Sequence, residues 1–565
     1  MKNNKIFIYQ LLPRLFGNSS SNNKFNGSII ENGSGKFNDI TEKVLLNLKE
    51  QGYTHIWFIG IIAHASCTDY TKFGIPNEYP EIIKGKAGSP YAIRDYYDVD
   101  PDLSEDIPNR MFEFEKLIER THNAGLKVII DNVPNHVARN YKSINKPKGV
   151  RDFGVDDDTS KDFSTKNNFY YLPGQKLELP LPKGRDNHLT YEEFPAKATG
   201  NNFFAKNPSV NDWYETVKLN YGVDHTNDNR TSFNPIPNTW NKMKDIFMYW
   251  ADKKIDGFRC DMAEMVPISF WQWLIPQIKA KYPEIIFIAE IYNPSLYRNY
   301  LANNSFDYLY DKVGLYDVLR DVACGYRPSS DISFTLNNVG DIQRNMLNFL
   351  ENHDEQRIAS DYFLKDGLKS KAAMIVSCCI NNNPVMIYFG QEFGEKGMDE
   401  EGFSGKNGRT TIYDYWSVDT IRRWNNNGKW NNELLSFEEK ELSKFYSKLL
   451  RLCNEDESLS NGMYYDLMPA NYDNPHFDST RLFAFLRGNS KTLSLIIVNF
   501  DQEVKELALH IPSHAFSFME IEKKERGILK PLLNNSGKKI AFTNDNPITI
   551  KLDPHSGEVY TISFI

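Results

Sequence analysis

At 565 residues the chain is long enough for several domains of about 150 residues each. Hydrophobic residues make up 41% and charged residues 25%, and no apolar run approaches the roughly 20 residues that a spanning helix needs, which argues against a membrane partner. Lys and Arg number 66 against 74 Asp and Glu, a net charge of -8 without a basic stripe, which argues against nucleic acid; the 13% aromatic content supplies flat faces on which sugar rings stack.

Met1-Lys2-Asn3-Asn4-Lys5 carries the charge of a leader, but the apolar stretch behind it is broken by Gln10, Pro13 and Arg14, so the chain is read as cytoplasmic. Lys5 to Tyr9 is the first strand expected. A helix follows from about Thr41, with Ile40, Val44, Leu45 and Leu48 on one face and Gly52 as its stop. Ile56 to Ile59 is the second strand. A helix carrying Met111, Phe114, Leu117 and Ile118 ends near Gly125 and leads into Val128 to Asp131, the third strand. From 137 to 237 this rhythm stops, and a stretch of that length is too long for an ordinary loop. An inserted subdomain is the reading.

The alternation resumes with Met243, Ile246, Phe247 and Trp250 on one helical face. Strands are expected at Ile255 to Cys260, Ile285 to Ala289, Leu347 to Leu350 and Val385 to Phe389, with a helix over Lys371 to Ile380. Such repetition predicts an α/β fold of the (β/α)8 TIM-barrel type, formed by residues 1–136 and 238–456, with the insert after strand 3. Beyond residue 457, strand-like runs such as Leu482 to Phe485, Leu493 to Val498 and Thr549 to Leu552 are separated by turn signals at Gly488-Asn489, Asn534-Asn535 and Ser556-Gly557. Residues 457–565 are therefore expected to form a C-terminal antiparallel β-sandwich. The six cysteines, Cys67, Cys260, Cys324, Cys378, Cys379 and Cys453, lack zinc or disulfide-scaffold spacing and are read as reduced and mostly buried.

Four strand ends carry polar residues: Asp131 to His136, Gly257 to Asp261, Ala289-Glu290, and Glu351 to Asp354. A single carboxylate at a strand end usually caps a helix or pairs with an arginine. Four such clusters in order are different, because a parallel barrel opens all its C-terminal strand ends onto one face. Arg259 and Asp261, two apart on a strand, point the same way, and a cation beside a carboxylate favours its ionised, nucleophilic form. Glu290, after an apolar run, has the dry setting of a proton donor. Two carboxyls in separate roles are what glycoside hydrolysis needs. Spacing alone leaves the stereochemistry open.

These segments resemble the four ordered signature regions of the α-amylase family, glycoside hydrolase family 13, over roughly residues 5 to 455, and Val385 to Glu392 is similar to that family's last barrel strand. The resemblance implies Asp261 as nucleophile, Glu290 as acid and then base, and Asp354 as the third carboxylate, which holds sugar hydroxyls. It further implies that Arg259 orients Asp261, that His136 and His353 hydrogen-bond the same sugar, and that Tyr91 stacks below it. No cofactor is needed for that chemistry. Asn135 matches a calcium-ligand position, leaving room for structural calcium, with Asp156-Asp157-Asp158 as further donors or, more simply, a solvated loop. Where relatives carry a Lys-His pair after the nucleophile, this chain has Met262-Ala263-Glu264-Met265, so its acceptor-side specificity departs from theirs.

The expected activity is retaining cleavage of α-1,4-glucosidic bonds in starch, glycogen or malto-oligosaccharides. Malto-oligosaccharide transglycosylation at the same site and non-catalytic glucan binding are the alternatives; a barrel metallohydrolase would need His-x-His spacing, which is absent from the sequence. The oligomeric state stays open.

Overall fold

The computed structural model describes residues 5–181, 190–521, 526–534, 539–543 and 546–564, so the readings placed on Met1 to Asn4 and on Asn535 lie outside the described residues. Eight strands, β1 (Phe7–Leu11), β2 (His55–Phe58), β3 (Lys127–Asn132), β4 (Gly257–Cys260), β5 (Ile286–Ala289), β6 (Tyr308–Tyr310), β7 (Met346–Phe349) and β8 (Val385–Tyr388), pair in parallel and in chain order. β8 closes the ring on β1, with Phe7 opposite Val385. Every residue of β1, β2, β4, β7 and β8 is buried, which is why these strands read as continuous apolar runs and not as alternating ones.

The helices follow the 3.6-residue period. In α1 (Glu42–Gln51) Val44, Leu45 and Leu48 are buried, and Gly52 ends the helix at φ 108°, donating its N–H to the Leu48 carbonyl in a conformation that favours glycine. α2 (Arg110–Asn123) buries Phe114, Leu117 and Ile118, and α3 (Asn238–Asp252) buries Met243, Ile246, Phe247 and Trp250. Two features escape the sequence pattern. β6 is three residues long between Asp307 and Asp311, too short to show any period. After β2 the chain runs out of the barrel into an antiparallel pair, Ile62–His64 with Ile93–Val99, which brings Tyr91 to the mouth.

Between β3 and β4 the described residues form short antiparallel pairs: His136–Ala138 with Thr216–Lys218, Tyr171–Leu172 with Ala196–Lys197, and Val223–Asp224 with Arg230–Thr231. Buried ion pairs hold them, as where Arg139 Nη1 meets Glu193 Oε1 at 2.8 Å. At the other end of the chain β9 (Met463–Asp466), β10 (Leu482–Gly488), β11 (Leu493–Asn499), β12 (Arg526–Pro531), β13 (Ile540–Thr543) and β14 (Ser556–Phe564) form an antiparallel sheet in the order β9-β10-β11-β14-β12-β13. A separate two-stranded sheet, Lys505–Leu509 with Ile548–Leu552, completes it, so the expected sandwich consists of one broad sheet and one ribbon. Helix α4 (Lys371–Cys379) packs between the barrel and this sheet, and the buried Arg487 of β10 donates from Nη1 to the Cys379 carbonyl at 2.6 Å. The six cysteines are present as thiols, four of them buried; Cys379 and Cys453 sulfurs lie 3.6 Å apart. No helix among the described residues is long and apolar enough to cross a membrane.

Candidate active site

Register decides which side chains meet. Arg259 on β4 stands opposite Asp131 on β3 and Ile288 on β5, which sets Asp261 and Glu290, one residue beyond their strands, side by side at the mouth. The Arg259 side chain is fully buried and its fork reaches three carboxylates: Nη1 lies 3.1 Å from Asp131 Oδ1 and 2.7 Å from Asp261 Oδ1, and Nη2 lies 2.8 Å from Glu290 Oε2. The contact to Glu290 is an ion pair without hydrogen-bond alignment. Nε donates to the Tyr310 hydroxyl at 3.2 Å, and the rings of Trp57, Tyr91 and Tyr310 surround the guanidinium at 5.4, 5.5 and 5.5 Å.

Three carboxyls share one cation in a desolvated place. Burial pushes the Asp261 carboxyl well above its ordinary range, Arg259 pulls it back, and Glu290 and Asp131 push it up again. Asp131 is raised in the same way, by burial against Arg259. Arg259 therefore favours the ionised form of Asp261, as the sequence suggested, while burial and the neighbouring Glu290 and Asp131 work against it.

Glu290 is gripped from both sides. Oε2 accepts the Met262 N–H at 2.7 Å and Oε1 accepts the Tyr292 hydroxyl at 2.6 Å. Met262 makes its contact from the left-handed region at φ 43°, a conformation that costs a non-glycine residue about 1–3 kcal/mol and that clusters at functional sites. Glu264 Oε2 accepts the N–H groups of Tyr292 and Asn293, both at 3.1 Å, which ties the segment after Asp261 to the segment after Glu290.

Asp354 is the most open of the carboxylates, its side chain 44% exposed to the pocket. Burial opposes its charge, but His353, 3.0 Å away, together with Arg259 and Arg409, holds the carboxyl below its ordinary value. His353 itself is buried: Nε2 lies 2.6 Å from the Tyr91 hydroxyl, Nδ1 lies 3.0 Å from Gln10 Nε2, and its ring stacks on Tyr91 at 5.3 Å. Burial brings the His136 pKa down to about 3, with Lys218 and Lys84 adding to the effect, so it meets a ligand as a neutral ring.

These groups surround a pocket of about 330 Å³. Tyr91, His136, Asp261, Glu290 and Asp354 line it as the sequence led us to expect. Arg259 and His353 do not; they stand behind the wall, Arg259 donating to Asp261 and His353 in contact with Tyr91 and Asp354. Sequence reading missed Tyr292, Trp213, Tyr413 and the pair Lys84–Glu215, whose Nζ and Oε1 are 2.8 Å apart. Tyr292 did carry a signal, since it lies two residues past Glu290; Trp213 and Glu215 sit in a stretch without period. Removing the Tyr292 hydroxyl takes a hydrogen bond from Glu290, so Tyr292→Phe is expected to lower kcat about tenfold with KM within about twofold, read by steady-state kinetics.

Asn135 does not fit the calcium reading. Its Oδ1 accepts a hydrogen bond from Lys218 Nζ, its Nδ2 donates to the Gly200 carbonyl at 2.9 Å, and a basic nitrogen stands where a divalent ion would need oxygen ligands. The acidic run is also committed: Asp156 pairs with Arg151, Asp157 accepts the N–H groups of Asn168 and Phe169, and Asp158 pairs with Lys161. Among the described residues no group of three or more His, Cys, Asp or Glu side chains is arranged to hold a metal ion.

The family model for the α-amylase catalytic domain matches residues 10–462 of the chain. The chain belongs to the α-amylase family. Alpha-amylase 3 of Dictyoglomus thermophilum is 25% identical over 396 residues, covering 66% of this chain and 68% of that protein. Neopullulanase 2 of Thermoactinomyces vulgaris is 21% identical over 430 residues, covering 75% of this chain and 59% of the relative. The fold is also that of solved family structures. The noncanonic maltogenic α-amylase AmyB of Thermotoga neapolitana superposes with a TM-score of 0.61 at 20% identity over 100% of both chains. The α-amylase of Geobacillus thermoleovorans, complexed with acarbose, gives 0.63 at 19% identity, covering 99% of this chain and 98% of that one.

Proposed function

We propose that the chain is a retaining glycoside hydrolase that cleaves α-1,4-glucosidic bonds of starch or malto-oligosaccharides by double displacement. The observation that carries this reading is the single buried guanidinium touching both Asp261 and Glu290, which holds the two carboxyls within the span of one fork. Retaining enzymes need such closeness; inverting enzymes leave room for a water between the pair. Glu290 gives its proton to the leaving glycosidic oxygen as Asp261 bonds to the anomeric carbon. Glu290, now ionised, then takes a proton from water, whose oxygen displaces Asp261. Asp354 and the neutral His136 reach the hydroxyls of the ring resting against Tyr91.

Transfer to a sugar hydroxyl is a second reading, because Met262 and the Tyr292 ring flank Glu290 and give an acceptor a surface to lie on. Incubation with maltotriose followed by thin-layer chromatography tests both. Hydrolysis is expected to yield products no longer than maltotriose, whereas longer products early in the reaction would show transfer. Tight starch binding without any reducing-end release would overturn both readings.

A further inference from the structure

One side chain at the junction of insert and barrel plays no part in the chemistry above. Lys218 lies on the insert strand Thr216–Lys218, directly opposite His136. It is 2% exposed, and no carboxylate among the described residues lies within ion-pair range of it. Nζ instead donates to Asn135 Oδ1 and, at 3.1 Å, to the Met265 carbonyl. One nitrogen therefore ties three segments: the insert strand, the loop that leaves β3, and the turn that follows Asp261. Joining oxygens from separate segments is what a structural cation does with its ligands. Here the joining group is tethered to the chain itself.

The turn it holds is Ala263–Met265. Met262, at its entry, presents its N–H to Glu290, and Glu264, in its middle, fixes Tyr292 and Asn293. Anchoring Met265 thus anchors the segment that grips the proposed acid. We propose that Lys218 replaces a metal ion in this chain: its Nζ joins the insert to the barrel and positions residues 262–265 against Glu290. The donor set supports this, because Asn135 and Met265 offer two neutral oxygens already engaged by a basic nitrogen, a poor offer to a hard divalent ion.

The full chain is to be compared in EGTA and in millimolar CaCl2 by thermal unfolding and steady-state kinetics. Wild type is expected to show the same Tm within about 1 °C and the same kcat in both. Lys218→Met keeps the apolar stem and removes both hydrogen bonds. It is expected to lower Tm and to reduce kcat at least about tenfold with KM within about twofold, since Tyr91 and Asp354 still hold the sugar; calcium should restore neither. Should that variant not fold, Lys218→Met with Asn135→Leu, which leaves neither partner of the main hydrogen bond bare, takes its place. The idea is overturned by a Tm that rises more than about 5 °C when calcium is added to wild type, by calcium rescue of the variant, or by a wild-type kcat in the variant. If the wild-type chain released no sugar from any glucan, the assignment of activity would fail, while the calcium and Tm arms would still judge Lys218.

Discussion

Glu290→Gln and Asp261→Asn, each shown by circular dichroism to be folded, are expected to lose at least about a thousandfold in kcat on malto-oligosaccharides. Both changes keep the shape of the side chain and remove what the reaction needs, an exchangeable proton in one case and an anionic oxygen in the other. The two roles separate with a substrate whose leaving group needs no proton. Maltosyl fluoride should restore the first step in Glu290→Gln, with accumulation of a sugar ester on Asp261 that intact-mass spectrometry detects. It should not rescue Asp261→Asn. A near-wild-type rate in either variant on maltotriose would refute the assignment.

Arg259→Leu is expected to destabilise the fold by about 3–5 kcal/mol in urea unfolding and to abolish turnover, because it leaves Asp131, Asp261 and Glu290 buried around no cation. Arg259→Lys, which keeps the charge and loses the fork, should fall between wild type and Arg259→Leu. The deficit should depend on pH. Asp261 and Asp131 are already raised by burial in the wild-type chain, and loss of the guanidinium raises them further. A carboxyl with a raised folded-state pKa binds more protons folded than unfolded, so stability falls as pH rises through the carboxylate range and above. The Arg259→Leu chain should therefore lie closest to wild type at acidic pH and furthest from it near neutrality. A pH-independent difference would show that the three carboxyls are not held by this one side chain.

What could be read from the sequence was whatever leaves a local trace. Buried strands leave continuous apolar runs, and amphipathic helices leave period 3.6, so seven barrel strands and the helices bearing Leu48, Phe114 and Trp250 were legible. Tyr308–Tyr310 left none, being too short to show a period. At the site, Asp261, Glu290 and Asp354 stood out because polar residues interrupt apolar strands there. The electrostatics did not, because Arg259 was read as the partner of Asp261 alone, whereas the fold has it serve three acids at once. Asn135 misled for a similar reason: an amide at a ligand position says nothing about which atom faces it, and Lys218 arrives from 83 residues away.

The buried arginine of the C-terminal sheet has a consequence for how the molecule can be divided. Arg487 offers one nitrogen to the end of the helix that packs against β7 and another to the Gly462 carbonyl, 2.8 Å away, just where the barrel portion gives way to the sheet. A cut at that junction would strip two main-chain oxygens of their donor and lay bare the apolar side of α4. The last hundred residues are thus less an appendage than the underside of the catalytic half, and a shortened version would have to be redesigned there before it could stand alone.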